Sequence, residues 1–253
     1  MNKGKKGPQP ARPELGRERI VAEALALVDE KGLAKLSMRT LATRLSVFPS
    51  AIYWYVGSRN GLLAAMVESV LADILPDAND AEWDTWVLRL MRSYRAAIMR
   101  HPNIAPLLGA DLASNAGVDL QVVDRLLSVL EQAGFAGEHL TNAYNSVMAG
   151  MIGFVTLELS ATPADHDWAD AMQDRFRQPD PARFPAIARL ANEMKNRAFV
   201  IRWIGGNAAP LDAAFESFQS ALLLGLQAQL EQSRSHARRA ASLSKRRTAH
   251  DKA

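Results

Sequence analysis

The chain has 253 residues, 48% of them apolar, which allows a substantial core in one or two domains. It contains no cysteine, which excludes disulfides, thiolate nucleophiles and Cys-based zinc or iron–sulfur centres, and suits a reducing compartment. The formal charge of +3 conceals a segregation: residues 1–59 carry eleven basic and five acidic side chains (+6), residues 60–232 twelve against twenty-one (−9), and residues 233–253 seven against one (+6).

A basic front joined to an acidic body fits polyanion binding confined to one part of the molecule, although charge alone does not separate this from an ordinary solvated surface. Met1–Leu15 has no apolar run of the kind a secretory signal needs. The most apolar span, Val147–Leu157, falls well short of the roughly 20 residues that cross a bilayer. A cytoplasmic protein with no membrane partner is expected.

Residues 1–15 are polar and rich in proline and glycine, and are expected to form a disordered basic arm. From Arg17 the spacing turns helical: Ile20, Val21, Ala24, Leu25, Leu27 and Val28 share a face, and Gly32 supplies the stop. Ser37 is placed to cap a short second helix with Met38, Leu41, Ala42 and Leu45 inward. Ser46-Val47-Phe48 makes a turn. Pro49 then takes the first position of a third helix, where its missing N–H has no partner to lose. Ile52 and Val56 are the inward pair of that helix, and Gly57 ends it. Ser58 caps a fourth helix whose Leu62, Leu63, Met66, Val67, Val70, Leu71 and Ile74 lead to Pro76.

Further helices are expected near 82–100, 103–110, 118–133, 138–160, 185–204 and 211–231, broken most clearly at Gly134–Gly137 and Gly205–Asn207. Residues 161–185 read as a long polar loop with one short helix, and residues 233–253, which lack an apolar stripe, as a disordered basic tail. With no strand-like alternation and no internal repeat, the expected fold class is all-α: an N-terminal three-helix unit over 16–61 and a larger helical body over 62–232.

The segment Ser37–Val56 carries the function. Two short helices joined by three residues have the spacing of a helix-turn-helix, in which the first helix braces a second that enters the major groove. With Leu41, Leu45, Val47, Ile52 and Val56 inward, Ser50, Ala51 and Trp54 point away, flanked by Tyr53 and Tyr55. Aromatic side chains beside small ones on an outer face suit thymine methyls, sugars and phosphates. The alternative is three small helices packed for stability alone.

Residues 17–75, from R-E-R-I-V-A-E-A-L-A-L-V-D-E-K-G through S-M-R-T-L-A-T-R-L to A-I-Y-W-Y-V-G-S-R-N-G-L-L, resemble the TetR family of transcription regulators. The resemblance implies that Arg39 contacts DNA from the second helix, that Ser50, Ala51, Tyr53, Trp54 and Tyr55 form the reading surface, and that Arg59 meets a phosphate. Phe48 and Pro49 at the start of the recognition helix complete the candidate DNA-binding set. Two residues depart from the family pattern. Ser46 stands where glycine is usual, so a left-handed backbone there carries a penalty. Phe48 stands where Ser or Thr usually caps the helix.

The resemblance weakens but persists beyond this unit, in H-P-N-I-A-P-L-L-G, L-L-S-V-L-E-Q-A-G-F, Y-N-S-V-M-A-G-M-I-G-F-V-T-L-E and F-E-S-F-Q-S-A-L-L-L-G-L-Q-A-Q-L, which are similar to the tetracycline-repressor type of C-terminal domain. It implies a homodimer on a palindromic duplex operator, with the helices near 138–160 and 211–231 pairing across the twofold. Ala149 and Gly153 permit close helix approach, and Phe215, Phe218, Leu222, Leu226 and Leu230 form a stripe that serves either as the seam or as intramolecular core.

A small-molecule effector is expected among Trp86, Arg95, His101, Asn145, Met148, Met151 and Glu158, although each of these alone also reads as core or surface. Leu107 and Leu108 stand near the position where tetracycline repressors hold a magnesium–drug complex by a histidine, so neither tetracycline nor magnesium is carried over. No cofactor, metal site or catalytic residue is expected. The five histidines lack metal-ligand spacing, and no phosphate-binding or nucleophile-elbow motif occurs. The alternatives are a helical small-molecule-binding protein or a helical-bundle enzyme without DNA recognition.

Overall fold

The computed structural model describes residues 15–77, 82–110, 119–160, 174, 179–199 and 208–250. Among the described residues all regular structure is helical, and the chain divides into two compact units, Met1–Met66 and Val67–Ala253.

The first unit opens with α1 (Arg17–Lys31), whose Ile20, Ala24 and Val28 are fully buried. Gly32 ends it at φ 79°, with its N–H bonded to the Val28 carbonyl at 2.8 Å. A 3₁₀ turn (Leu33–Lys35) leads to α2 (Met38–Leu45). Ser37 caps α2 as expected: its hydroxyl accepts from the Thr40 N–H at 3.1 Å, while the Thr40 hydroxyl accepts from the Ser37 N–H at 2.9 Å. This reciprocal pair satisfies two of the donors that a helix start leaves open. α3 (Pro49–Val56) packs on α1 and α2 through Ile52, which is wholly buried. α4 (Arg59–Leu71) begins in this unit with Leu62, Leu63 and Met66 buried and continues into the next.

In the second unit, α5 (Trp83–Arg100), a 3₁₀ turn (Pro102–Ile104), α6 (Ala105–Ala110), α7 (Leu120–Ala133) and α8 (Glu138–Glu158) follow in order. Then come α9 (Pro185–Met194) and α10 (Asp212–His250). The core is organised on α8, which packs against α5, α6, α7 and α10 through Ala143, Val147, Met151, Phe154 and Val155. Where α8 meets α10, a methyl group on Gly150 would lie 2.6 Å from the Phe218 ring, so any larger residue here requires that ring to move. One turn on, Phe154 lies edge-on to Phe199 and Phe215 and stacks on Phe218, with centroids 5.0–5.4 Å apart. Arg234 of α10 donates to the Ala133 carbonyl at 2.9 Å, closing the C-terminus of α7.

Two expectations are corrected, and one open alternative is decided. The helix expected over 185–204 ends at Met194, beyond which Asn196 takes a left-handed conformation (φ 57°). The helix expected to stop near residue 231 runs on to His250, so the stretch read as a disordered tail is helical to that residue. Residues 233–250 contain no glycine or proline and are rich in Ala and Arg. Propagating an existing helix needs no apolar stripe, only the absence of a breaker. The stripe residues Phe215, Leu226 and Leu230 are buried within the single chain, which assigns them to its own core. The N-terminal arm, most of the 161–185 loop and the Gly205–Asn207 break lie outside the described residues.

Candidate nucleic-acid interface and effector site

The turn between α2 and α3 is closed by its backbone. Ser46 is left-handed (φ 55°, ψ 44°), its N–H reaches the Thr43 carbonyl at 3.2 Å, and the Val47 N–H reaches the Ala42 carbonyl at 3.0 Å. This is the paired hydrogen bonding of a Schellman ending, and it offsets the steric penalty of placing a serine where glycine is usual. α3 then begins without a side-chain cap, since Phe48 has nothing to donate or accept. Its start rests on Pro49 at the first position and on the Ala51 N–H to Phe48 carbonyl bond of 3.0 Å.

The other end of α3 has no slack. Gly57 (φ 72°, ψ −53°) makes a three-residue turn in which the Ser58 N–H bonds the Val56 carbonyl at 2.8 Å. The Ser58 hydroxyl then caps α4 by accepting from the Gly61 N–H at 3.0 Å. A side chain on Gly61 would overlap the Val56 carbonyl oxygen, so the end of α3 and the start of α4 touch backbone to backbone.

With Ile52 pinned inward, the outer face of α3 is open. Phe48 is 82% exposed and Trp54 83%, Tyr53 and Tyr55 are exposed beside them, and Pro49 and Ser50 are exposed at the helix start. Ala51, expected to point fully outward, is half-buried, as are Val47 and Val56 on the inner side. Arg39 on α2 and Arg59 at the head of α4 are exposed and join no ion pair among the described residues. Arg44 differs. Its Nε bonds Glu23 at 2.8 Å and its two terminal nitrogens bond Glu30 at 2.7 Å, tying α2 to α1. The Arg44 guanidinium holds the Glu30 carboxyl below the usual carboxylate range. These three arginines therefore divide by position: Arg44 is a brace, and Arg39 and Arg59 are solvent-facing cations.

In the second unit, Arg95 and Glu158 are brought together. Glu158 is buried, and its two oxygens accept from Arg95 Nε (2.8 Å) and Nη2 (2.7 Å). One oxygen also accepts the Leu211 N–H at 2.6 Å. Asp212 meets Arg95 Nη2 at 2.8 Å, and the guanidinium lies 4.8 Å from the Phe215 ring centroid. Trp86 and Met151 are buried, Met148 and His101 half-buried, and Asn145 lies exposed on α8. Of the seven candidates, Arg95 and Glu158 are brought into direct contact, and both are engaged by each other and by the start of α10.

Beside Trp86, a candidate already, the core holds Tyr94, Thr156 and Gln219, which sequence reading did not single out. Trp86 Nε1, the Tyr94 hydroxyl, Thr156 Oγ1 and Gln219 Oε1 are buried with no hydrogen-bond partner, while Gln219 Nε2 donates to the Leu88 carbonyl at 3.3 Å. Burial pushes the Tyr94 hydroxyl well above its ordinary pKa. Tyr94 falls two turns after Trp86 on the inward stripe of α5, and Gln219 one turn after Phe215 on that of α10. A polar residue inside an apolar stripe was the available signal. A groove of about 350 Å³ opens among Leu75, Pro76, Asp77, Arg89, Arg92 and Ser93.

Among the described residues no helix is long and apolar enough to cross a membrane, and no group of three or more His, Asp or Glu is placed to hold a metal ion. Residues 20–66 match the profile of bacterial regulatory proteins of the tetR family, and residues 75–230 that of the tetracyclin repressor-like C-terminal domain. The class A tetracycline repressor from transposon 1721 of Escherichia coli is 29% identical over 208 residues, covering 74% of this chain and 94% of the relative. The TetR family protein ActR of Streptomyces coelicolor, solved in complex with (S)-DNPA, superposes with a TM-score of 0.61 at 25% identity, covering 85% of this chain and 98% of that one. BioQ, solved with its double-stranded DNA operator, superposes at 0.53 with 27% identity, covering 70% and 99%. With an aromatic recognition helix inside one matched region and an enclosed helical core inside the other, the chain belongs to the TetR family of bacterial regulatory proteins and is a ligand-responsive, DNA-binding regulator of transcription.

Proposed function

We propose that the protein is a cytoplasmic repressor that holds a palindromic duplex operator as a homodimer and leaves it when a small molecule occupies the body. The carrying observation is the outer face of α3, where Phe48 at its start and Tyr53, Trp54 and Tyr55 along it stand exposed while Ile52 is buried on the inner side. A soluble surface gains nothing from four exposed aromatic rings on one short segment, whereas base edges, sugars and phosphates give them contacts. Arg39 and Arg59 add phosphate contacts, and Pro49, Ser50 and Ala51 allow close approach at the helix start. Residues 16–61 make up the reading domain and 62–232 the effector-binding and dimerising domain.

The effector reading rests on the buried groups. Each of Trp86 Nε1, Tyr94 Oη, Thr156 Oγ1 and Gln219 Oε1 carries a desolvation penalty of about 1–3 kcal/mol while unpartnered, and a ligand offering complementary groups removes it. Trp86 and Met151, with Met148 and His101, supply the apolar and polar wall. Arg95 and Glu158 act by fixing α5, α8 and the head of α10. The dimer is supported by the outward faces of α8 and α10, which leave Ala149, Leu157 and Leu224 exposed after the core is formed. The role is regulatory rather than catalytic.

Selection from random duplex DNA with the full-length protein tests the reading. Recovery of an inverted repeat with half-sites about one or more helical turns apart is the expected result. Enrichment of no sequence at low salt would overturn it.

A further inference from the structure

The C-terminal part of α10 lies beyond the function already described. The C-terminal family match ends at residue 230, and the last described side chain that ties α10 to another helix is Arg234, at Ala133. From there α10 continues unbroken to His250, about 24 Å at 1.5 Å per residue. This extension contains Arg238, Arg239, Lys245, Arg246 and Arg247 and no acidic residue.

Helical periodicity organises these charges. Arg238 and Lys245 are seven residues apart, as are Arg239 and Arg246, so each pair returns to nearly the same side of the helix after two turns. The opposite arc carries Ala237, Ala240, Ala241, Ser244 and Thr248, all small. Within each pair the two residues stand about 10.5 Å apart along the axis, close to the roughly 12 Å width of the DNA major groove whose edges are lined by phosphates. A membrane-surface helix needs a bulky apolar arc, and here Leu243 is the one large apolar residue between Arg234 and His250. The body that precedes the extension is net acidic, so the positive charge is concentrated where no acidic residue of the same stretch offsets it.

We propose that the extension Ala237–His250 is a second DNA-binding element, a basic helix that contacts duplex phosphates without reading sequence and adds to the contacts made by the recognition helix. Each phosphate neutralised releases condensed counterions, so such a contact shows directly in the salt dependence of binding.

The test is fluorescence anisotropy of a random-sequence duplex titrated with full-length protein across a series of KCl concentrations. In the variant R238Q/R239Q/K245Q/R246Q/R247Q, the slope of log affinity against log salt is expected to become shallower by about 2 to 4 per dimer, with at least tenfold weaker binding. Sedimentation and circular dichroism serve to confirm an intact folded dimer. R238K/R239K/R246K/R247K keeps the charge and is expected to keep the slope. Ala241→Pro keeps the charge but breaks the helix, and is expected to lose part of it. The same decrement is expected when the glutamine variant is combined with Tyr53→Ala and Arg59→Ala, which places the contact outside the recognition helix. An unchanged slope in the glutamine variant overturns the proposal, as does loss of binding to phosphatidylserine vesicles with DNA binding intact. A full slope in Ala241→Pro overturns the helical arrangement.

Discussion

Arg95 and Glu158 face each other across α5 and α8 in a two-pronged contact, with both carboxylate oxygens engaged and the Leu211 N–H held by one of them. The pair joins three helices at a point where Glu158 has no access to water. Removing one partner leaves the other with its weaker contact alone, Asp212 for Arg95 and the Leu211 N–H for Glu158. Glu158→Ala is expected to lower unfolding free energy by about 3 kcal/mol, since it leaves the part-buried guanidinium with Asp212 as its remaining carboxylate and strands the Leu211 N–H. Arg95→Met/Glu158→Leu together should lose much less. Urea midpoints measure both, and equal losses in the two variants would count against this account.

On the DNA side, Arg59→Ala is expected to weaken binding to all sequences alike and to reduce the salt slope by about 0.9 for each phosphate that Arg59 neutralises. Tyr53→Ala added to it should reduce affinity further. Wild-type affinity and slope in the double variant would remove both residues from the interface.

Ser46 sits at φ 55°, a conformation that penalises any side chain. Ser46→Gly keeps both backbone hydrogen bonds of the turn and is expected to raise stability by about 1 kcal/mol, read as a higher melting temperature with unchanged DNA affinity. A lower melting temperature would show that the serine hydroxyl contributes more than its backbone strain removes.

Leu224 is 68% exposed on α10, and Leu157 is exposed near the end of α8. Burying a charge at a twofold seam places it opposite its own copy, so Leu224→Glu is expected to shift the protein toward monomer in sedimentation at micromolar concentration and to weaken operator binding. A dimer unaffected by Leu224→Glu/Leu157→Glu would move the seam elsewhere.

For the effector, a hundredfold loss of DNA affinity requires a coupling of about 2.7 kcal/mol, and linkage demands that saturating operator weaken effector binding by the same hundredfold. Calorimetry with and without operator reads this directly. An effector whose affinity is the same in both conditions would falsify release by differential binding, and one that binds tighter on DNA would make the protein a co-repressed regulator.

The helix-turn-helix was legible because its determinants are local: Ser37 caps within three residues, Gly57 turns within two, and the inward side chains repeat at helical spacing. The body was legible only in outline. Arg95, Glu158 and Asp212 are separated by 63 and 54 positions along the chain, and no periodicity links them. The stripe Phe215–Leu230 was visible, but helical spacing is the same whether a face meets its own chain or a second copy, and most of it proved to be core. The C-terminal helix was missed because amphipathicity was taken as the criterion, whereas Ala- and Arg-rich sequence continues a helix without it.

The proposed recognition helix is placed in the protein by one wholly buried side chain, Ile52, by the half-buried Ala51 and Val56, and by backbone closure at Ser46 and Gly57. Phe48, Ser50 and Trp54 are exposed and hold nothing together. Folding therefore places little constraint on them, and on the proposed reading the operator constrains them together with the other outward residues of the interface. After gene duplication, two descendants of this protein can drift to different promoters by exchanging these outer residues while the body behind them, and the signal it answers, stays the same.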